Sequence, residues 1–215
     1  VNFTCTGEIL AATYYIRNSF EAAVVVKINI ALSMSSKRLK ILAISGSLRK
    51  NSSSTLILHH AGSILSKTCD VEYFDGIGQL PHFDDAKIIP PIVNDFRNKI
   101  MACDGVIISQ PEYAFGVAGS LKNALDWTVG SGEFNGKPVS LITAATGGEN
   151  AHEAMLKTLR AIDCQLSADN LLLISFVKSK FDQQGNIKDE SLTIRLDSLS
   201  SNFVMQVRNA KIASI

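Results

Sequence analysis

Residues 46–55 read GSLRKNSSST. An apolar run stops at Gly46, and beyond it Arg49 stands among five hydroxyl side chains: Ser47, Ser52, Ser53, Ser54 and Thr55. This set suits a phosphate. Serine favours the N-cap of a helix, so a helix is expected to begin near Ser53. Its free N–H groups and dipole then point into the loop and attract an anion. Gly46 lets the backbone come close, the hydroxyls donate, and Arg49 adds fixed charge with planar donors. A serine-capped helix after a flexible loop is the plainer reading, but capping explains one serine and not the whole set with Arg49.

The loop lacks both GxxxxGK[ST] and GxGxxG, which argues against ATP and against tightly bound NAD. A monophosphate end is expected instead, as on a mononucleotide such as FMN. Two further stretches carry matching chemistry. In PEYAFGVAG (111–119), Tyr113 and Phe115 can flank a flat ring, although Phe115 reads equally well as core. In TAATGGEN (143–150), Thr146 adds a hydroxyl, while Gly147 and Gly148 permit close approach and positive φ. Trp127 sits among Leu121, Ala124 and Leu125 on a helix and reads as core or subunit-interface packing. His59, His60 and His152 read as structural or solvated helix residues, and Asp84 and Asp85 as solvated turn residues.

These stretches need a scaffold. Strand-length apolar or alternating runs occur at 39–45, 71–75, 105–111, 137–145 and 170–177. Stripes of helical period lie between them: Ile57/Ala61/Ile64/Leu65, Ile92/Phe96/Ile100, Leu121/Ala124/Leu125/Thr128, Met155/Leu156/Leu159/Ile162 and Leu192/Leu196/Leu199/Phe203/Val207. Strands alternating with helices predict an α/β fold, a doubly wound five-stranded parallel sheet with helices on both faces. Ligands of such sheets bind beyond the strands' carboxyl ends, where the strand order reverses. The three stretches all fall at such ends.

Composition removes other classes. A net charge of +1 gives no basic surplus for nucleic acid. Cys5, Cys69, Cys103 and Cys164 lack metal or disulfide spacing, so no metal is expected and a cytoplasmic location is. Residues 1–33 read as an N-terminal extension outside the fold, whether leader, artefact or targeting segment, followed by one domain over 34–215. The apolar stretch at 22–32 is short and broken by Lys27, a poor membrane span, so no stable membrane insertion is expected.

With the three loops in place, the sequence resembles the NADPH-dependent FMN reductase family, flavodoxin-like proteins that include quinone, azo-dye and chromate reductases. The resemblance rests on GSLRKNSSST (46–55), PEYAFGVAGSLKNALDW (111–127) and TGGEN (146–150), and runs from residue 39 to about 200. It implies a non-covalent FMN whose phosphate is held by Ser47, Arg49, Ser52, Ser54 and Thr55. Pro111, Glu112, Tyr113 and Ala114 would line the flavin, largely through backbone groups, and Thr146, Gly147 and Gly148 would close its pyrimidine side. Family members often carry Asn at the positions of Ser54 and Ala114, and Pro at that of Ala118.

The resemblance further implies an enzyme in which NADPH or NADH reduces FMN, with two-electron, ping-pong hydride transfer to a quinone-like acceptor. FMN carries that chemistry, so no catalytic side chain is expected. It also implies a homodimer or homotetramer, with helix 120–127 against a partner subunit. The rival readings are a flavodoxin-like electron carrier, which the near-neutral charge counts against, and a regulatory flavin-binding protein. A phosphate-binding hydrolase lacks a nucleophile–base pair.

Overall fold

A computed structural model describes residues 38–84 and 88–213. The extension at 1–33 and the Asp85 half of the Asp84/Asp85 pair lie outside them. The elements run β1 (Leu39–Ser45), α1 (Ser53–Leu65), β2 (Cys69–Phe74), α2 (Pro91–Ala102), β3 (Gly105–Gln110), β4 (Glu112–Tyr113), β5 (Gly116–Val117), α3 (Gly119–Val129), β6 (Pro138–Ala144), α4 (Glu149–Ala161), β7 (Gln165–Ile174) and α5 (Glu190–Ala213).

β1, β2, β3, β6 and β7 form one five-stranded sheet in the order β2-β1-β3-β6-β7. Every neighbouring pair in it is parallel. The chain winds outward from β1 in one direction and from β3 in the other, so the switch point lies between them.

Alternation along the strands sorts the core into two layers. Leu42, Ile44, Val106, Ile108 and Leu141 face α2, α3 and α4, where Phe96, Leu125, Trp127 and Met155 close the layer. Ile41, Ala43, Ile107 and Ile142 face α1 and α5, against Ile57, Ala61, Leu196 and Phe203. All six residues of β3 are buried, as expected of a central parallel strand covered on both faces. Truncating a buried aromatic such as Phe96 to Ala would cost about 3–5 kcal/mol.

The structure departs from the sequence expectation in two places. β7 begins at Gln165, five residues before the expected start at 170, because its first half, QLSAD, is polar and partly exposed. A register irregularity between Val139 and Leu141 marks where this edge strand changes pairing. The segment after β3 is not a direct passage from strand to helix: β4 and β5 pair antiparallel as a small hairpin. On the 120–127 helix, Leu121, Leu125 and Trp127 are all buried within the chain's own core, which is the core reading of Trp127. The Trp127 indole N–H donates to the Pro81 carbonyl at 2.8 Å, and Phe83 meets the indole edge-on at 5.1 Å. On the outer face of α3, Lys122 pairs with Asp126.

Candidate functional site

The passage from β1 into α1 is a knot of hydroxyls. α1 starts at Ser53 as expected, with Ser52 as its N-cap, whose Oγ accepts from the Thr55 amide at 3.2 Å. The same Oγ lies 2.8 Å from Thr55 Oγ1 and 3.1 Å from Ser54 Oγ. Thr55 Oγ1 in turn lies 2.9 Å from Ser45 Oγ and donates to the Arg49 carbonyl at 3.3 Å. Ser47, Ser52, Ser54 and Thr55 are all buried. Two donors remain free: among the described residues, no acceptor takes the Ser53 and Ser54 amides at the start of the helix. The Arg49 side chain is exposed and has no partner among the described residues.

Gly46 is needed for packing. A Cβ there would come within 2.9 Å of Leu121 Cδ2 and 3.0 Å of Gln110 Cβ. The glycine lets the loop press against β3, and its amide donates to the Ser109 carbonyl at 2.8 Å.

The second wall is the β4–β5 hairpin. Its two turn residues, Ala114 and Phe115, both have positive φ, +47° and +58°. Tight hairpins demand this geometry, and side-chain-bearing residues resist it. Phe115 stands 79% exposed, which settles its two sequence readings against core packing. Tyr113 reaches back, placing its hydroxyl 3.4 Å from Ser47 Oγ and so joining the hairpin to the first loop.

Glu112 does more with its side chain than a backbone-only role implies. Its carboxylate accepts from the Gly148 amide at 3.3 Å and from the Ala151 amide at 2.9 Å. It thereby caps the N-terminus of α4, where a negative charge is favoured. Gly148 has φ +112°, and a Cβ there would meet Leu173 Cδ1 at 2.8 Å. No side-chain-bearing residue fits that position. Sequence spacing gives no sign of this cap, since the pairing crosses 36 residues.

Behind the hairpin lies a buried polar chain. Gln110 Nε2 donates to Thr143 Oγ1 at 3.2 Å and to the Ala151 carbonyl at 3.0 Å. Thr143 Oγ1 lies 2.8 Å from His152 Nδ1. Thr143 Oγ1 thus links the Gln110 amide to the His152 ring. Burial lowers the His152 pKa below 6.5, so the ring is neutral at pH 7. His152 is therefore tied into the α4 support and is not a freely solvated helix residue.

One open cleft of about 230 Å³ collects Arg49, Ser52, Ser54, Pro111, Glu112, Tyr113, Thr146 and Gly147 from the expected set. Ser47 and Thr55 lie behind it in the hydroxyl network, Ala114 is exposed at the hairpin turn, and Gly148 is buried with its amide given to Glu112. The cleft also takes in Ser53, Ala144, Ala145, Val177 and Lys178. The last two come after β7, whose end carries no turn or phosphate signature in the sequence.

Among the described residues no group of three or more His, Cys, Asp or Glu is arranged to hold a metal. Burial pushes the Cys103 and Cys164 thiols up to about 11 and about 12, so neither is a thiolate at neutral pH. No helix among them is long and apolar enough to cross a membrane. The donor set fits a phosphate monoester: free helix amides, buried hydroxyls and an unpaired guanidinium converge on one cleft wall.

A parallel five-stranded α/β sheet with a polar cleft beyond the strand ends on both sides of its switch point is a flavodoxin-like architecture. The family model for NADPH-dependent FMN reductase matches residues 39–178, and the chain belongs to that family. It is 33% identical over 160 residues to a NAD(P)H-dependent FMN reductase of Pseudomonas aeruginosa, covering 71% of this chain and 86% of that one. With an NADPH:quinone oxidoreductase of Arabidopsis thaliana the identity is 34% over 172 residues, 74% of this chain and 86% of the relative. Among solved structures, the flavoenzyme NAD(P)H:acceptor oxidoreductase FerB of Paracoccus denitrificans shares the fold with a TM-score of 0.65 at 22% identity, over 80% of this chain and 98% of that one.

Proposed function

We propose that the cleft holds FMN, with its phosphate at the start of α1 and its ring system along the hairpin and the loop after β6, and that the protein is an NAD(P)H-dependent quinone reductase. When bound, FMN would supply the redox chemistry, two-electron ping-pong transfer from NAD(P)H to a quinone-class acceptor. The chain's own residues bind and orient. The Ser53 and Ser54 amides and Arg49 take the phosphate charge, and the hydroxyl knot of Ser47, Ser52, Ser54 and Thr55 fixes the loop that presents them. Pro111, Glu112, Tyr113 and Ala114 form the side wall, and Thr146, Gly147 and Gly148 the opposite edge. Glu112 holds these two walls together through the start of α4.

The observation that carries this reading is the convergence of free helix amides, Arg49 and Tyr113 on one cleft beyond the strand ends. The family relatives named for quinones support the acceptor class. The proposal includes a homodimer or homotetramer in which a partner subunit covers Leu48 and Phe115, both well exposed on the two loops beside the cleft. It includes a cytoplasmic location, in keeping with the free thiols of Cys103 and Cys164. Initial-rate kinetics with NADPH and a benzoquinone test it. Parallel double-reciprocal lines are expected, and no turnover with any quinone would overturn the assignment.

A further inference from the structure

The cleft contains a cation that no sequence motif singles out. Lys178 sits in the 3₁₀ turn Val177–Lys180, just past β7, and lines the same cleft as Arg49 and the Ser52–Ser54 stretch. The turn is fastened to the loop after β6. The Phe176 amide donates to the Thr146 carbonyl at 2.9 Å, and the Val177 amide to the Ala145 carbonyl at 3.0 Å. Phe176 is held at φ +52°, a left-handed conformation unfavourable for a residue with a side chain. Ser179 Oγ donates to the Phe176 carbonyl at 2.8 Å and braces the same turn.

The other lysine of the turn is committed: Lys180 pairs with Asp189. The Lys178 ammonium has no hydrogen bond or ion pair among the described residues, and neither has the Arg49 guanidinium. The one carboxylate lining the cleft, Glu112, is engaged by the Gly148 and Ala151 amides. The cleft therefore presents two unpaired cations from two different strand ends, together with free helix amides. A phosphate monoester at neutral pH carries about −1.5 to −2 charges, so a single arginine leaves part of that charge unmatched.

We infer that Lys178 is the second cation of the phosphate seat, completing with Arg49 a charge set matched to a dianionic monoester. This rests on the reading that the cleft holds FMN. As a point charge on a flexible stem, the ammonium adds attraction, while the planar guanidinium adds orientation.

The test compares FMN with riboflavin, which lacks the phosphate, by quenching of flavin fluorescence on the flavin-free full-length chain. Lys178→Ala is expected to weaken FMN about tenfold, to leave riboflavin affinity unchanged, and to make FMN affinity less sensitive to salt. Lys178→Arg is expected to restore most of the loss. Unchanged FMN affinity in Lys178→Ala, or equal weakening of both flavins, would overturn the inference and leave the FMN reading standing. Failure of the parent chain to bind FMN would overturn both.

Discussion

The two walls of the cleft are built on opposite principles. On the α1 side, Ser52, Ser54 and Thr55 are buried and satisfy one another, and α1 starts on an ordinary serine cap. On the hairpin side, Ala114 and Phe115 are exposed and carry positive φ, and the wall is held from behind by the bond between its own Glu112 and the start of α4. Folding by itself explains the first wall except for its unpaired Arg49 and free amides. In the second, the hairpin turn accounts for the positive φ but not for the choice of side-chain-bearing residues there, and such strain clusters at functional sites. On the proposed reading, the contrast separates a rigid seat for the phosphate from a strained, open surface for the flavin ring and its acceptor.

Breaking the rigid wall is expected to have the largest effect. Arg49→Ala removes an exposed charge with no protein partner, so the melting temperature of the flavin-free chain should hold. FMN affinity should fall roughly ten- to a hundredfold, in line with about 1.5–3 kcal/mol for a bond to a charged group. Equal flavin content on purification of parent and variant would count against this placement of the phosphate.

Glu112→Ala takes the cap from α4 and the tie from the hairpin. A loss of about 1–2 kcal/mol is expected by chemical denaturation, with weaker FMN retention besides. Glu112→Gln keeps the shape but not the charge and should fall between. A parent-like denaturation midpoint in Glu112→Ala would show that the cap contributes nothing.

The strain itself can be relieved. Ala114→Gly removes the Cβ penalty at φ +47°, and a gain of up to about 1 kcal/mol is expected from the turn. If the strain serves quinone turnover, kcat falls as stability rises; if both rise, the strained turn has no catalytic use.

The smallest effect concerns His152. Its folded pKa is lowered, by burial, from 6.5, so the unfolded chain binds a proton first as pH falls. Stability is fully present above pH 6.5 and is expected to decline below it, until the folded ring also protonates. His152→Gln should flatten that part of the stability–pH profile, measured by denaturant unfolding between about pH 7.5 and 5.

Much of this contrast is legible in the sequence, unevenly. The α1 wall is readable because hydroxyls, Arg49 and a helix start are local and sit within ten residues. The strands β1, β3 and β6 are readable because double burial leaves continuous apolar runs. The hairpin is not, since its β4 and β5 strands are two residues each and its turn carries Ala114-Phe115 where Asn-Gly would announce it. The Glu112 cap and Lys178 are hidden for another reason. Glu112 acts across tens of residues on the start of α4, and Lys178 joins Arg49 in one cleft from a distant strand end, and no spacing rule encodes either.

The most direct measurement is a crystal structure of the protein with FMN. The phosphate is expected within hydrogen-bond distance of the Ser53 and Ser54 amides and in contact with Arg49, with the ring lying beside Tyr113 and Gly147. A flavin seated elsewhere, or a phosphate turned away from the start of α1, would contradict it.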